Sequence, residues 1–141
     1  MGCRALLGKQ TREHNDLDIA IQHKNVARLP ELLAEKGYVE IPKDDTRDCN
    51  FVLGDTAKNQ FDVYSYTFDE NGKNIFGVPY LPEHFTGQGL IDGHPVDCIS
   101  AEWMIKFHTG NELDENDFHD TLALCQTFHL PLPREYVKFT Q

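Results

Sequence analysis

The stretch REHNDLDIAI, from Arg12 to Ile21, constrains this chain more than any other part of it. In extended backbone successive side chains alternate faces, so Asp16 and Asp18 share one face while Leu17, Ile19 and Ile21 share the other. The apolar row can enter a core. The acidic row then sets two carboxylates side by side, with Cα atoms roughly 6.5 Å apart. Like charges held that close repel unless a cation sits between them. Two readings fit the pattern: a solvated acidic face, or a site for a hard divalent ion. Mg²⁺ suits the second, because it takes oxygen ligands and usually keeps substrate phosphates in its shell.

The 141 residues are expected to form one domain over 1–141, long enough to bury a core without disulfide or metal staples. A net charge of −10 argues against a nucleic-acid partner, whose phosphates call for Lys and Arg. It suits a cationic ligand, and equally a protein kept soluble by its charge. Cys3, Cys49, Cys98 and Cys125 are widely separated and show no zinc spacing. They read as reduced thiols in a cytoplasmic protein, with Cys98 and Cys125 buried. No apolar run reaches membrane length and no signal-peptide pattern opens the chain.

Residues 2–8 read as a short helix stopped at Gly8, followed by a polar loop and a strand over 16–22. A helix is expected over 26–36, capped by Asn25 and ended by Gly37, with Val26, Leu29, Leu32 and Leu33 as its buried stripe. Pro30 sits late for a first-turn proline, which argues for a start beyond Asn25. Residues 38–41 suit a short strand, and 51–53 with 60–68 a hairpin. Residues 69–72 read as a turn and 75–78 as a short strand or loop. Asp92-Gly93 joins strands over 89–91 and 95–98. Ser100 caps a helix to about Thr109. Asp114 caps the last helix, with Asp117 completing a capping box, and Phe118, Leu122, Cys125 and Phe128 form its inner face until Pro131 and Pro133 stop it.

Asp62 stands in mid-strand with apolar neighbours on either side, which suits either a wet edge strand or a functional carboxylate. Arg12 reads as a loop residue in a surface ion pair or as a forked contact to a phosphate. His14 reads as an ordinary loop imidazole or as a group orienting Asp16. Lys106 reaches solvent or a phosphate, and His108 reads as a structural histidine. Asp117, His119 and Asp120 read as a solvated face near a helix N-terminus. No Walker loop, dinucleotide fingerprint or nucleophile–base triad is present in the sequence.

The segments ALLGKQTREHNDLDIAI, NFVLGD, FDVYSYTFDENG, NIFGV and CISAEWMIKFHTGNELDENDFHD together span most of the chain. With them it resembles the aminoglycoside 2″-adenylyltransferase and lincosamide nucleotidyltransferase family. The resemblance implies an α/β (α+β) nucleotidyltransferase-like fold, a mixed β-sheet flanked by helices. It implies Mg²⁺-dependent transfer of an adenylyl group from ATP to a hydroxyl of an aminoglycoside or lincosamide. Asp16, Asp18 and Asp62 fall on the family's three acidic positions: all three as metal ligands, Asp62 also as general base. Arg12, His14 and Lys106 are then candidates to hold the nucleotide.

Family members carry a first strand ending in Gly-Gly-Trp, and this sequence begins within the helix that follows it. The expectation is therefore an N-terminally shortened chain with its first strand missing and an exposed sheet edge, covered in a homo-oligomer. Two functions remain open on the sequence: the transferase, and a non-catalytic relative that binds a small cationic ligand or serves as an oligomeric scaffold.

Overall fold

The computed structural model describes residues 2–9, 16–109 and 112–141, with the side chains of residues 2–4 left undescribed. The alternation in DLDIAIQ forms strand β1 (Asp16–Gln22), and the longer alternation in QFDVYSYTF forms β4 (Gln60–Phe68). These two run parallel, with Asp16 opposite Gln60 and Asp18 opposite Asp62. β3 (Asn50–Gly54) lies antiparallel to β4, and β2 (Val39–Ile41) antiparallel to β3. β5 (Asn74–Gly77) pairs with the far end of β4, across an irregularity at Thr67/Phe68. The result is a mixed five-stranded sheet with the path β1-β4-β3-β2.

A parallel pair needs a crossover, and here it contains helix α2 (Arg28–Ala34). Phe51, Leu53 and Val63 are buried in a core to which Ile19, Ile21, Val26, Leu29, Leu33, Tyr38 and Phe61 add. α2 starts later than Asn25, which lies in a 3-10 turn, His23–Asn25. Proline explains the shift: a helix running from Val26 would need an N–H that Pro30 lacks, whereas a start at Arg28 places Pro30 in the first turn. Leu32 is also displaced from the expected stripe and is 56% exposed, because it is turned about 100° from Leu33 on so short a helix. His23 Nδ1 meets Ser65 Oγ at 2.9 Å, tying the end of β1 to the middle of β4.

The chain divides into two compact units, and these elements belong to the first, whose described residues are 16–82. The second contains α1 (Gly2–Leu7) and, beyond residue 82, a hairpin of β6 (Gly87–Ile91) and β7 (His94–Cys98). Asp92 and Gly93 both take positive φ at its turn, the twist-matched geometry for a two-residue loop. α1 packs directly on β6 at Gly89, where any side chain would overlap the Ala5 carbonyl.

Helices α3 (Ala101–Phe107) and α4 (Glu115–Phe128) complete this unit. Its core joins Leu6, Ala101, Met104, Ile105, Leu124 and Cys125, and Leu130 and Leu132 fold back onto it. Phe128 is 38% exposed, contrary to the stripe expected for α4; the buried row is instead Asp120, Thr121, Leu124 and Cys125. Asp120 is thus interior and not part of a solvated face. Cys98 is half-buried, against the expectation that it is interior, because it sits at the end of a hairpin strand. No helix among the described residues is long and apolar enough to cross a membrane.

Candidate active site

The register of β1 against β4 builds the site. Asp18 stands directly across from Asp62, and Asp16 lies two residues away on the same face. One carboxylate oxygen from each of the three lies within 4.8 Å of the others. Asp16 and Asp18 are exposed and Asp62 is half-buried. Burial pushes the Asp62 carboxyl up to about 6, and the charges of Asp18 and Asp16 push it the same way. A half-buried carboxylate beside two others is a group whose ionised form needs a cation.

Two tyrosines outside the sequence candidates, Tyr64 and Tyr80, border this acidic group. Tyr64 follows Asp62 at strand period two and shares its face, opposite Ala20 of β1. Burial and then Asp18 raise its phenol to about 12, and the same two causes raise Tyr80 to about 12. Both are therefore neutral hydrogen-bonding groups at any physiological pH. Period two in FDVYSYTF would have placed Tyr64 and Tyr66 beside Asp62. Tyr80, held in a loop after β5 and 5.9 Å ring to ring from Tyr66, has no such local pattern.

The other sequence candidates are placed as follows. Arg12 and His14 lie outside the described residues. Lys106 is on α3 of the second unit, 3.5 Å from Glu102 and 4.3 Å above the Trp103 ring. His108 Nδ1 is 3.3 Å from Asp117 Oδ1, and its backbone carbonyl accepts from the Tyr136 hydroxyl at 2.8 Å.

Comparison with known proteins agrees with this architecture. The profile of the aminoglycoside-2''-adenylyltransferase family matches residues 1–124. A lincosamide resistance protein of Staphylococcus haemolyticus is 28% identical over 126 residues, covering 84% of this chain and 76% of the relative. Among solved structures, the lincosamide antibiotic adenylyltransferase LnuA with lincomycin bound superposes with a TM-score of 0.72 at 23% identity, over 87% of this chain and 80% of that one. ANT(2")-Ia in complex with adenylyl-2"-tobramycin gives a TM-score of 0.68 at 17% identity, over 90% and 75%. The fold is thus the mixed α+β arrangement of these nucleotidyltransferases, and the chain belongs to the aminoglycoside-2''-adenylyltransferase family.

Proposed function

We propose that this protein transfers an adenylyl group from ATP to a hydroxyl of an aminoglycoside or lincosamide antibiotic, with Asp16, Asp18 and Asp62 as its catalytic carboxylates. The observation that carries the reading is the convergence of those three side chains within 4.8 Å. Three carboxylate oxygens so close, one of them on a group whose burial and neighbours oppose its charge, fit a hard oxygen-liganded cation such as Mg²⁺. When bound, such an ion supplies Lewis-acid polarisation of phosphoryl oxygens and neutralises charge that develops on them.

Asp62 acts as general base. It sits within 4.8 Å of Asp16 and Asp18 and, ionised beside the cation they would hold, is placed to accept the hydroxyl proton. The acceptor oxygen attacks the α-phosphorus as its proton passes to Asp62. The bond from that phosphorus to the α–β bridging oxygen breaks, and pyrophosphate leaves with the electron pair. Tyr64 and Tyr80, neutral and adjacent to Asp18, donate hydrogen bonds without adding charge.

Arg12 and His14, which stand just before the acidic pair in the sequence, are assigned to the triphosphate, where a guanidinium matches phosphate oxygens in a fork. The same reading makes the protein cytoplasmic, where ATP and Mg²⁺ are found, and gives it no nucleic-acid partner. β1 ends the hydrogen-bonded path of the described sheet, so its outer edge is the place where a second copy would pair.

The test is transfer of labelled adenylate from ATP to tobramycin and lincomycin with Mg²⁺ present, alongside an Asp18→Asn control. Labelled product that disappears with the substitution supports the assignment. Transfer that persists in Asp18→Asn removes the acidic group from the chemistry. Binding of either antibiotic without transfer leaves a ligand-binding relative.

A further inference from the structure

We infer that Asn74 is a positioning residue for the acidic group: its carboxamide closes the loop over residues 74–80 and so holds the Tyr80 hydroxyl against Asp18, where it orients that carboxylate. This deepens the proposed transfer reaction and rests on it. Asn74 opens β5 and touches no reacting atom; it acts through Tyr80.

The loop is a tight return. Gly77 turns the chain at the end of β5 with a φ of +88°, and the Val78 amide donates to the Ser65 carbonyl of β4 at 3.0 Å. The Tyr80 amide donates to the Val78 carbonyl at 2.7 Å across Pro79, a three-residue turn that the fixed φ of proline suits. Asn74 reaches across the neck to the same backbone. Its Nδ2 donates to the Val78 carbonyl at 2.8 Å and to the Tyr80 carbonyl at 2.9 Å, and its Oδ1 accepts from the Phe76 amide at 3.2 Å. Both hydrogens of the carboxamide are committed to the loop, so one side chain ties three backbone positions together.

The closed loop carries Tyr80 onto the face of β4 that bears the catalytic carboxylate. Tyr66 stands four residues beyond Asp62 and shares that face at strand period two. The Tyr80 ring meets the Tyr66 ring edge-on, with centroids 5.9 Å apart and planes at 85°. Ring packing and the two backbone ends of the loop therefore fix where the Tyr80 hydroxyl stands. The charge of Asp18 acts on that phenol after burial, and the phenol keeps its proton and can donate it. A carboxylate that accepts a bond at one oxygen presents the other in a set direction, as outer groups do for the ligands of metal sites.

Two variants separate this role from simple loop stability. Asn74→Asp keeps the size of the side chain and the acceptor for the Phe76 amide, and removes both donors. Tyr80→Phe removes only the hydroxyl, because the bonds from Asn74 go to main-chain oxygens. Steady-state transfer to tobramycin and calorimetric binding of Mn²⁺ without nucleotide are to be compared for the wild type, both single variants and the double variant. The expected result is a kcat and an Mn²⁺ affinity each lowered roughly tenfold in both single variants, with the acceptor KM within about twofold. The double variant should be no worse than the weaker single one, since Asn74 acts through Tyr80. Losses that multiply in the double variant, or a Tyr80→Phe protein with unchanged kcat and Mn²⁺ affinity, overturn the inference. Asn74→Ala takes the place of Asn74→Asp if that variant does not fold, with the same outcomes. If the wild type transfers nothing, the reaction reading fails separately, and Mn²⁺ affinity alone decides: equal weakening in both single variants with none added in the double upholds the role of Asn74, and any other pattern overturns it.

Discussion

Asp18 and Asp62 face each other across the parallel ladder of β1 and β4, two carboxylates at one register position. Directly opposed like charges weaken a sheet, and here Asp16 adds a third within 4.8 Å. Such an arrangement favours a cation between the charges. Replacing Asp18 or Asp62 with Asn should lower adenylyl transfer by on the order of 10²–10⁴-fold. Circular dichroism should stay unchanged, since both residues face the acidic side of the sheet and leave the Val63 core intact. Single-turnover transfer measures the loss, and a decrease below tenfold for both variants would remove the carboxylates from the reaction.

The same repulsion gives a pH signature in stability. Asp62 has a native pKa of about 6 against an ordinary value of 3.8, so between those values the native state binds more protons than the unfolded one. Stability then falls as pH rises through that window, and the deficit is complete above about pH 6. With EDTA present, Asp62→Asn should melt higher than the wild type at pH 7.5, by roughly 3 °C, which is on the order of 1 kcal/mol after solvent screening. At pH 4 the difference should shrink toward zero. Millimolar Mg²⁺ at pH 7.5 should raise the wild-type Tm and leave the Asn variant less affected. Equal melting at both pH values contradicts the origin assigned to the shift.

How much of this was legible beforehand follows from how local each signal is. Strand β1 and its acidic face are written in seven residues, because alternation by two is a property of neighbours along the chain. The caps at Ser100 and Asp114 are equally local and form where expected. The pairing of Asp18 with Asp62 is not local: 44 positions separate them, and the resemblance to a family indicated what periodicity could not. Pro30 points to a start of α2 beyond Asn25, and the helix does start at Arg28; which residue begins it turns on the fate of one N–H. The place of Tyr80 depends on a loop folding against strands, for which no pattern in the sequence speaks.

Gly77 tests how tightly β5 closes on β4. Its φ is +88°, and a Cβ there would overlap the Ser65 carbonyl oxygen, which already accepts from the Val78 amide at 3.0 Å. Gly77→Ala therefore combines backbone strain with a clash against backbone that cannot rotate away. A loss of about 2–3 kcal/mol is expected. Gly93 has a similar φ of +80° but open space around it, so Gly93→Ala should cost only about 1 kcal/mol. Urea unfolding of the two variants separates the terms: equal losses would mean that the overlap at Ser65 is relieved at no cost.

The Asp117 carboxylate serves two helices at once. Oδ2 accepts from the Asp114 amide at 3.1 Å to close the capping box of α4, and Oδ1 lies 3.3 Å from the His108 ring at the end of α3. Asp114 supplies only the reciprocal bond, accepting from the Asp117 amide at 2.8 Å. Asp114→Ala should thus cost about 1 kcal/mol, the usual value of a cap. Asp117→Ala should cost more, because it also frees α3 from α4. A double-mutant cycle with His108→Ala isolates that second contribution, expected at about 0.5 kcal/mol for a pair about one-third exposed. The Tyr136 hydroxyl bonds the His108 backbone carbonyl, so the alanine change leaves that partner in place and the cycle reports the imidazole alone. A coupling of zero would mean that α4 is capped independently of α3 and that His108 is a bystander.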